Sequence, residues 1–561
     1  MKTGIQHIIL LSLTCCSLSL QAQTRVYLER CESLNYNEQR LPDAQILRGN
    51  VVFRHDEALM YCDSAYFYEA SNSLRAFGHV RFNQGDTLQG FGDMLYYNGN
   101  TKKARLRHQV RLLHRTTTLT TDSLDYDRNQ DLAFYRTGGT IKDSLNTLTS
   151  VWGQYRPNRN EALFQQDVHL DHPSFVLDAD SLKYNTKTYV ATLIAPTTIV
   201  YEEETTILSD NGTYNTNSEQ SHLFDRSQVI HNDGKRMTGD IIFYDKKRGE
   251  GRVRGHFVMA DTVQKATLYG DYGEYYEADS RGMATDSAML VDWSKEDTMF
   301  IHADTLFTEQ IPYTDTLIVR ADSLPNDTIL KDTTFRQMRA FHNVRAYSEE
   351  YQMVCDSVSY NGRDSVAHLY GMPLCWNYGQ QVSADSIFVY FKDSTIDYAH
   401  GLSGTMVIKQ EAHGFFNQMA GKEMKAYVRD GELAQVNVSG NAETVFYPTE
   451  DDGTFIGLNR SQSSAITIFL ENQKVQKVLF TTTTTGTLYP LDQVDDSQSY
   501  LVGFFWAEQE RPHSKDDIFL HPERTTRPEQ QMVSAVEEEP QEEEETAPKP
   551  KRNRKKHQQL L

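Results

Sequence analysis

The sequence predicts an all-β, elongated array of about a dozen stacked units, each of ~30 residues, ending in a disordered C-terminal tail. Three observations predict it. Two short phrases recur at a fixed step, one of them alternates apolar and polar residues with period two, and Tyr, Phe, Thr and Val crowd the middle of the chain.

The first phrase is an acid followed by an aromatic. Asp63 in CDSAYF is followed by Asp93 in GDMLYY, Asp122 in TDSLDY, Asp180 in ADSLKY, Asp210 in SDNGTY, Asp240 in GDIIFY and Asp271 in GDYGEY. The intervals are 30, 29, 58, 30, 30 and 31 residues, the 58 being two units with the middle one worn down to VWGQY. Asp304, Asp356 and Asp385 continue the series, Glu32 fits one step earlier and GKEMKAY one step later. The second phrase pairs Val51 with Phe53, Val80 with Phe82, Val110 with Leu112, Val168 with Leu170 and Ile199 with Tyr201. Arg81, Arg111 and His169 stand between the partners, so one face is buried and the other wet. GNV, GHV and HNV introduce the phrase, consistent with a turn into a strand.

Residues 1–22 read as a secretory signal, with Lys2, the apolar run IILLSLTCCSLSL and a small-residue cleavage site at Leu20-Gln21-Ala22. The array is expected over 23–307 and again over 339–500. Between them, the acidic, Thr-rich stretch 308–338 is expected to loop out. Residues 501–561 read as a closing segment followed by a disordered tail, because EEEPQEEEE and KPKRNRKK lack apolar residues.

A formal charge of −21 argues against nucleic acid as a partner, since phosphate binding needs a basic face. Cys31, Cys62, Cys355 and Cys375 suit neither a disulfide scaffold nor a zinc site. Cys31 and Cys62 precede the recurring acid in adjacent units, so a bridge between them stays open beside the simpler reading of small buried residues. The recurring Asp is read as a side-chain-to-backbone turn before the next strand, over a calcium ladder, because GGxGxD is absent. No nucleophile elbow, HExxH, P-loop or dinucleotide fingerprint stands in a suitable context, so the chain is expected not to be an enzyme, with no catalytic residue, metal or cofactor.

An exported chain of GxVxF and (A/T/C)DSxxY phrases resembles the OstA/LptA family of periplasmic lipopolysaccharide-transport proteins, and most resembles the long OstA-like proteins of Bacteroidota. ADSLKYNTKTYVA (179–191) and LRAFGHVRF (74–82) carry the likeness, which spans roughly residues 25–450. The resemblance implies a β-jellyroll or β-taco solenoid with V-shaped units and an apolar groove for the acyl chains of lipid A. It further implies lipopolysaccharide or lipooligosaccharide as cargo, carried from inner to outer membrane. Partners would be other transport components joined by β-strand augmentation, with head-to-tail self-association as an option. The expected location is the periplasm, with contact at the outer membrane left open. Candidate groove-lining, lipid-binding residues are Val51, Phe53, Val80, Phe82, Val110, Leu112, Val168, Leu170, Ile199 and Tyr201. The alternative is a structural or adhesive β-solenoid with a packed interior and no lipid cargo.

Overall fold

The computed structural model describes residues 24–525, apart from 40, 203, 320–326, 394, 451 and 472–473. The expected signal peptide and most of the expected tail lie outside these residues. The described chain is all β: 38 strands join in one antiparallel sheet in which sequence neighbours pair.

The thirty-residue unit is a hairpin of two long strands, each bent sharply near its middle. Strand Gln45–His55 pairs with Ala58–Tyr68, which pairs with Ser73–Gln84, and so on along the chain. Phe53 and Phe67 are about seven ladder steps apart, roughly 23 Å in a flat sheet. Their ring centroids lie only 5.4 Å apart, so the strands fold over at the middle and the two halves face each other. Each unit is a V, with a spine at the bend and two lips at the free ends. The first arm carries Leu47, Ala65 and Phe67; the second carries Val51, Phe53 and Met60. At ten places the bend splits a strand into two short pieces, as in Leu132–Tyr135 with Gly139–Lys142, so the 38 strands make 28 bent ones. With neighbours about 4.8 Å apart, the stack is roughly 130 Å long.

The bend is a bulge written into the repeat. Between the pairs Arg48–Ser64 and Val51–Cys62, two residues on one strand face one on the other. The two are left-handed: Gly49 and Asn50, Gly78 and His79, Gly255 and His256, Gly440 and Asn441. At the first three of these corners the single residue opposite is the recurring acid, and at Gly440 its place is taken by Lys422. A Cβ on Gly78 would lie 2.4 Å from Asp63 Oδ2, and one on Gly255 2.4 Å from Asp240 Oδ2. The acid folds across the corner and accepts from the second corner residue, His79 Nδ1 at 2.7 Å and His256 Nδ1 at 2.7 Å. The expected turns are therefore corners inside strands, and the Asp-Ser phrase caps a bend rather than starting a strand. The two repeated phrases are opposite sides of one corner.

The described parts of the expected loop, 308–319 and 327–338, are strand. Strands Met299–Val319 and Asp327–Tyr347 continue one ladder out to Val319–Asp327, well past the last pairing of the neighbouring strand at Thr308. Thr, Ile and Val favour the extended backbone despite the acidic charge. Pro312 is tolerated because its strand has no second neighbour there.

Candidate functional site

The interior of the V is the one concave surface that runs the length of the stack. Alternation on both arms points Leu47, Val51, Phe53, Met60, Cys62, Ala65 and Phe67 inward, and the same parity repeats in each hairpin. All ten predicted groove residues lie on the inner row of the second arm, and each is at most 3% exposed. Val51, Val80, Val110 and Val168 sit next to the spine, with Phe53, Phe82, Leu112 and Leu170 one inner position nearer the lip. The interior they line is filled by the chain itself. Phe82 meets Tyr126 of the opposite arm edge-on at 6.2 Å, and Phe175 meets Tyr214 at 5.1 Å.

What closes the V toward solvent is a row of residues the sequence reading did not single out. Tyr97, Tyr126, Tyr155, Tyr184, Tyr214, Tyr244 and Tyr275 recur at 29 to 31 residues along the lip of the first arm, all buried. Most of their hydroxyls meet polar groups at the lip of the second arm. Tyr97 Oη is 2.6 Å from His55 Nδ1, and Tyr155 Oη is 2.9 Å from His114 Nδ1. Tyr184 donates to Asp143 Oδ2 and accepts from Asn146 Nδ2, both at 2.7 Å, and the hydroxyls of Tyr201 and Tyr214 bond to each other. Burial raises the pKa of these tyrosines and lowers those of His55 and His114, which favours the neutral form of these groups. The signal was present in the sequence, as the aromatic four residues after most of the recurring acids. The second-arm lip row, His55, Gln84, His114, Asp143, His172, Tyr201 and His231, keeps the same step in a different phrase, and nothing in one dimension pairs the two rows.

Past residue 350 the interior loosens. The inward side chains Met353, Ala367, Val382, Val389 and Ala399 are only half-buried, as are Ala426, Leu433, Ile468 and Leu470 farther on. The second arm also reverses its polarity. Toward the lip its inner row is mostly polar there, with Gln380, Lys409, Asn417 and Asn459, while its outer row carries Leu374, Trp376, Met406, Ile408, Val445 and Leu458.

That outer apolar face is covered by residues 494–525. The aromatic stretch from Gly503 does not cap the last unit, as the sequence suggested; it runs back over the second arm, because the arm's apolar side faces outward here. Leu501 packs with Met406, Ile408 and Leu458, and Phe505 and Ala507 pack with Val354, Leu374 and Trp376. Buried glutamines hold this strap by its backbone. Gln418 donates to Ser499 O at 2.7 Å and accepts from Leu501 N at 2.8 Å, and Gln381 does the same with Phe505 O and Ala507 N. Arg345 donates to Glu510 O at 2.8 Å.

Among the described residues no group of three or more His, Cys, Asp or Glu is placed to hold a metal ion. The recurring acids are spent on corners. Cys31, Cys62, Cys355 and Cys375 are unpaired, and burial pushes the Cys62 thiol up to about 12. No described helix is long and apolar enough to cross a membrane, which says nothing about strands.

Bent antiparallel strands with an apolar inner row, most corners capped by an acid, run from residue 45 to 180, and a family model described as OstA-like protein matches residues 23–180. The chain carries an OstA-like segment. No curated protein matches the chain significantly. The bent hairpin of the OstA-like segment continues well beyond it, through strands Leu458–Glu471 and Lys474–Thr481, so the architecture outruns the matched region.

Proposed function

We propose that the chain is a periplasmic bridge that carries the acyl chains of lipopolysaccharide inside the V on their way to the outer membrane. The observation that carries this reading is the apolar inner row, which follows both arms through the OstA-like segment and on to about residue 350, and the first arm beyond that. Apolar area removed from water there is worth about 25 cal/mol per Å². The half-open part beyond residue 350 is the first place an acyl chain would lodge, against Val389, Leu433 and Ile468. Both ends of the described array offer a strand paired on one side only. Ser33–Tyr36 pairs with Gln45–His55, and Lys474–Thr481 pairs with Leu458–Glu471. Leu34, Tyr36, Val478 and Phe480 are exposed beside these edges. Such edges suit joining to other transport components, or to a second copy, by strand augmentation. The chemistry is binding and transfer, without catalysis.

One observation favours the second reading, a structural solenoid. The interior between residues 45 and 290 is filled by side chains, so cargo could enter it only if the arms parted.

The test is to produce the mature chain in the periplasm of a lipopolysaccharide-making host, purify it without detergent and extract it for lipid mass spectrometry. Stoichiometric lipid A species are expected. Their loss is expected in Val389→Asp and Ile468→Asp variants whose circular dichroism is unchanged. A folded protein that emerges lipid-free, and takes up none when lipopolysaccharide is added, establishes the structural reading instead.

A further inference from the structure

The lips between residues 55 and 275 are joined by a repeated polar contact over an apolar interior, and the spine opposite is built from left-handed corners. Four second-arm lip positions are histidine: His55, His114, His172 and His231, the first, third, fifth and seventh members of a row with a step of 29 or 30 residues. We propose that this seam is a proton-operated latch: protonation of the four lip histidines parts the arms between residues 45 and 290 from the lips inward, while the spine stays paired. The inference concerns the fold and stands whether or not the cargo is lipid.

The geometry at His55 gives the reason. Its Nε2 lies 2.9 Å from the carbonyl of Thr24 and so carries the hydrogen, which leaves Nδ1 as acceptor for the Tyr97 hydroxyl. Arg128 reaches into the same rung, donating to Tyr97 Oη at 2.8 Å and standing 3.3 Å from His55 Nδ1. A proton on Nδ1 removes that acceptor and sets a second cation against the guanidinium. Lys102 adds to the repulsion; Asp56 opposes it but is already shared, 2.8 Å from Lys102 and 3.9 Å from Arg128.

At His114 a proton likewise removes the acceptor of a lip tyrosine, whereas His172 and His231 bond Ser174 N and Thr205 Oγ1, so there only the charge enters. His114 Nδ1 meets Tyr155, with Arg115 disfavouring the charge and Asp131 favouring it. His172 stacks on Phe175 at 4.4 Å and accepts from Ser174 N, with Lys247 against the charge and Asp143, Asp171 and Glu219 for it. His231 lies against the rings of Tyr244 and Tyr275, and its buried Nε2 has no hydrogen-bond partner. Lys235 and Lys246 oppose its protonation, and Asp233 and Glu277, the latter 3.7 Å away, favour it. Carboxylates outnumber the cations around His172 and match them around His231, so these two rungs are less sensitive than the His55 rung. For all four, burial is the largest influence and lowers the pKa, so the closed seam is the neutral state.

Hydrogen exchange with mass spectrometry on the full chain at pH 7.5 and pH 5.0 tests this, using protection factors corrected for intrinsic rates. Carboxylates remain largely ionised at both values, so the imidazoles are what changes. Peptides over the lips, around residues 53–58, 95–99, 112–117 and 153–157, are expected to lose protection at least about ten-fold at pH 5.0. Peptides over the spine, around 61–65 and 77–80, are expected to stay within about two-fold. The quadruple variant H55Q/H114Q/H172Q/H231Q keeps hydrogen-bonding side chains that cannot be protonated, and its lips should change less than about two-fold. Should it fail to fold, H114Q alone must silence the response at 112–117 and 153–157 and nowhere else. Unchanged lip protection in the native chain, lip and spine loosening together, or a glutamine variant that responds like the native chain would each overturn the proposal.

Discussion

Replacing Gly78 by alanine tests the corner that defines the fold. Gly78 has φ +73°, a left-handed conformation that costs an L-residue about 1–2 kcal/mol. The new Cβ would also meet Asp63 Oδ2 at 2.4 Å. That atom ends a flexible, exposed side chain, so the carboxylate can swing away, giving up its bond to His79. Screening by solvent makes that lost bond a minor contribution. The backbone conformation therefore dominates, and Gly78→Ala should destabilise the corner by about 1–2 kcal/mol, or roughly 5- to 30-fold in local opening. A stacked array need not unfold in one step, so the assay is native-state hydrogen exchange at Met60–Cys62 and Val80–Phe82 rather than a melting curve. The Asp63→Ala background separates the two causes: nearly the whole cost should remain, because φ is unchanged. The mirror experiment is His108→Gly, where φ is +62° at a corner without glycine, and a gain of about 1 kcal/mol is expected. If Gly78→Ala costs nothing measurable, or its cost disappears with Asp63→Ala, the conformational argument is wrong.

Three further outcomes follow from the packing. Phe82→Ala should cost about 3–5 kcal/mol, since the ring is 1% exposed and the cavity would lie between two paired arms; exchange in the flanking strands measures it. Deleting residues 494–525 should uncover Trp376 and the apolar outer row beside it, seen as strong binding of a hydrophobic dye and, against a Trp506→Phe parent because the strap itself carries Trp506, as a red-shifted tryptophan emission; no change in either would mean that the strap does not shield this face. Acid should weaken the chain before its carboxylates titrate. The lip histidines have folded pKa values below the unfolded value of about 6.5, so their contribution is intact above that pH and is lost as pH falls through the lower folded values. Urea midpoints measured from pH 7.5 to 5.0 should therefore decline, and a flat profile would contradict the assigned burial.

The sequence by itself determined the all-β class, the repeat and the inward row, because alternation and a fixed step are properties of one dimension. Val51, Phe53, Val80 and Phe82 could be assigned to a buried face for that reason, and the structure places them there. The same alternation cannot say that Gly78-His79 is a bend inside a strand rather than a turn between strands. That depends on which residue stands opposite, and Asp63 is brought there only by pairing. Nor could it join Tyr97 to His55, which lie 42 residues apart on different arms and meet only because the V folds over. Beyond residue 395 alternation identified an apolar face but not its direction. Met406 and Ile408 point outward because residues 494–525 return to cover them, and the partner that makes a face interior is a tertiary fact. Whether the V is filled or open is decided the same way: both states need the same apolar row, and only the reach of side chains across the arms distinguishes them.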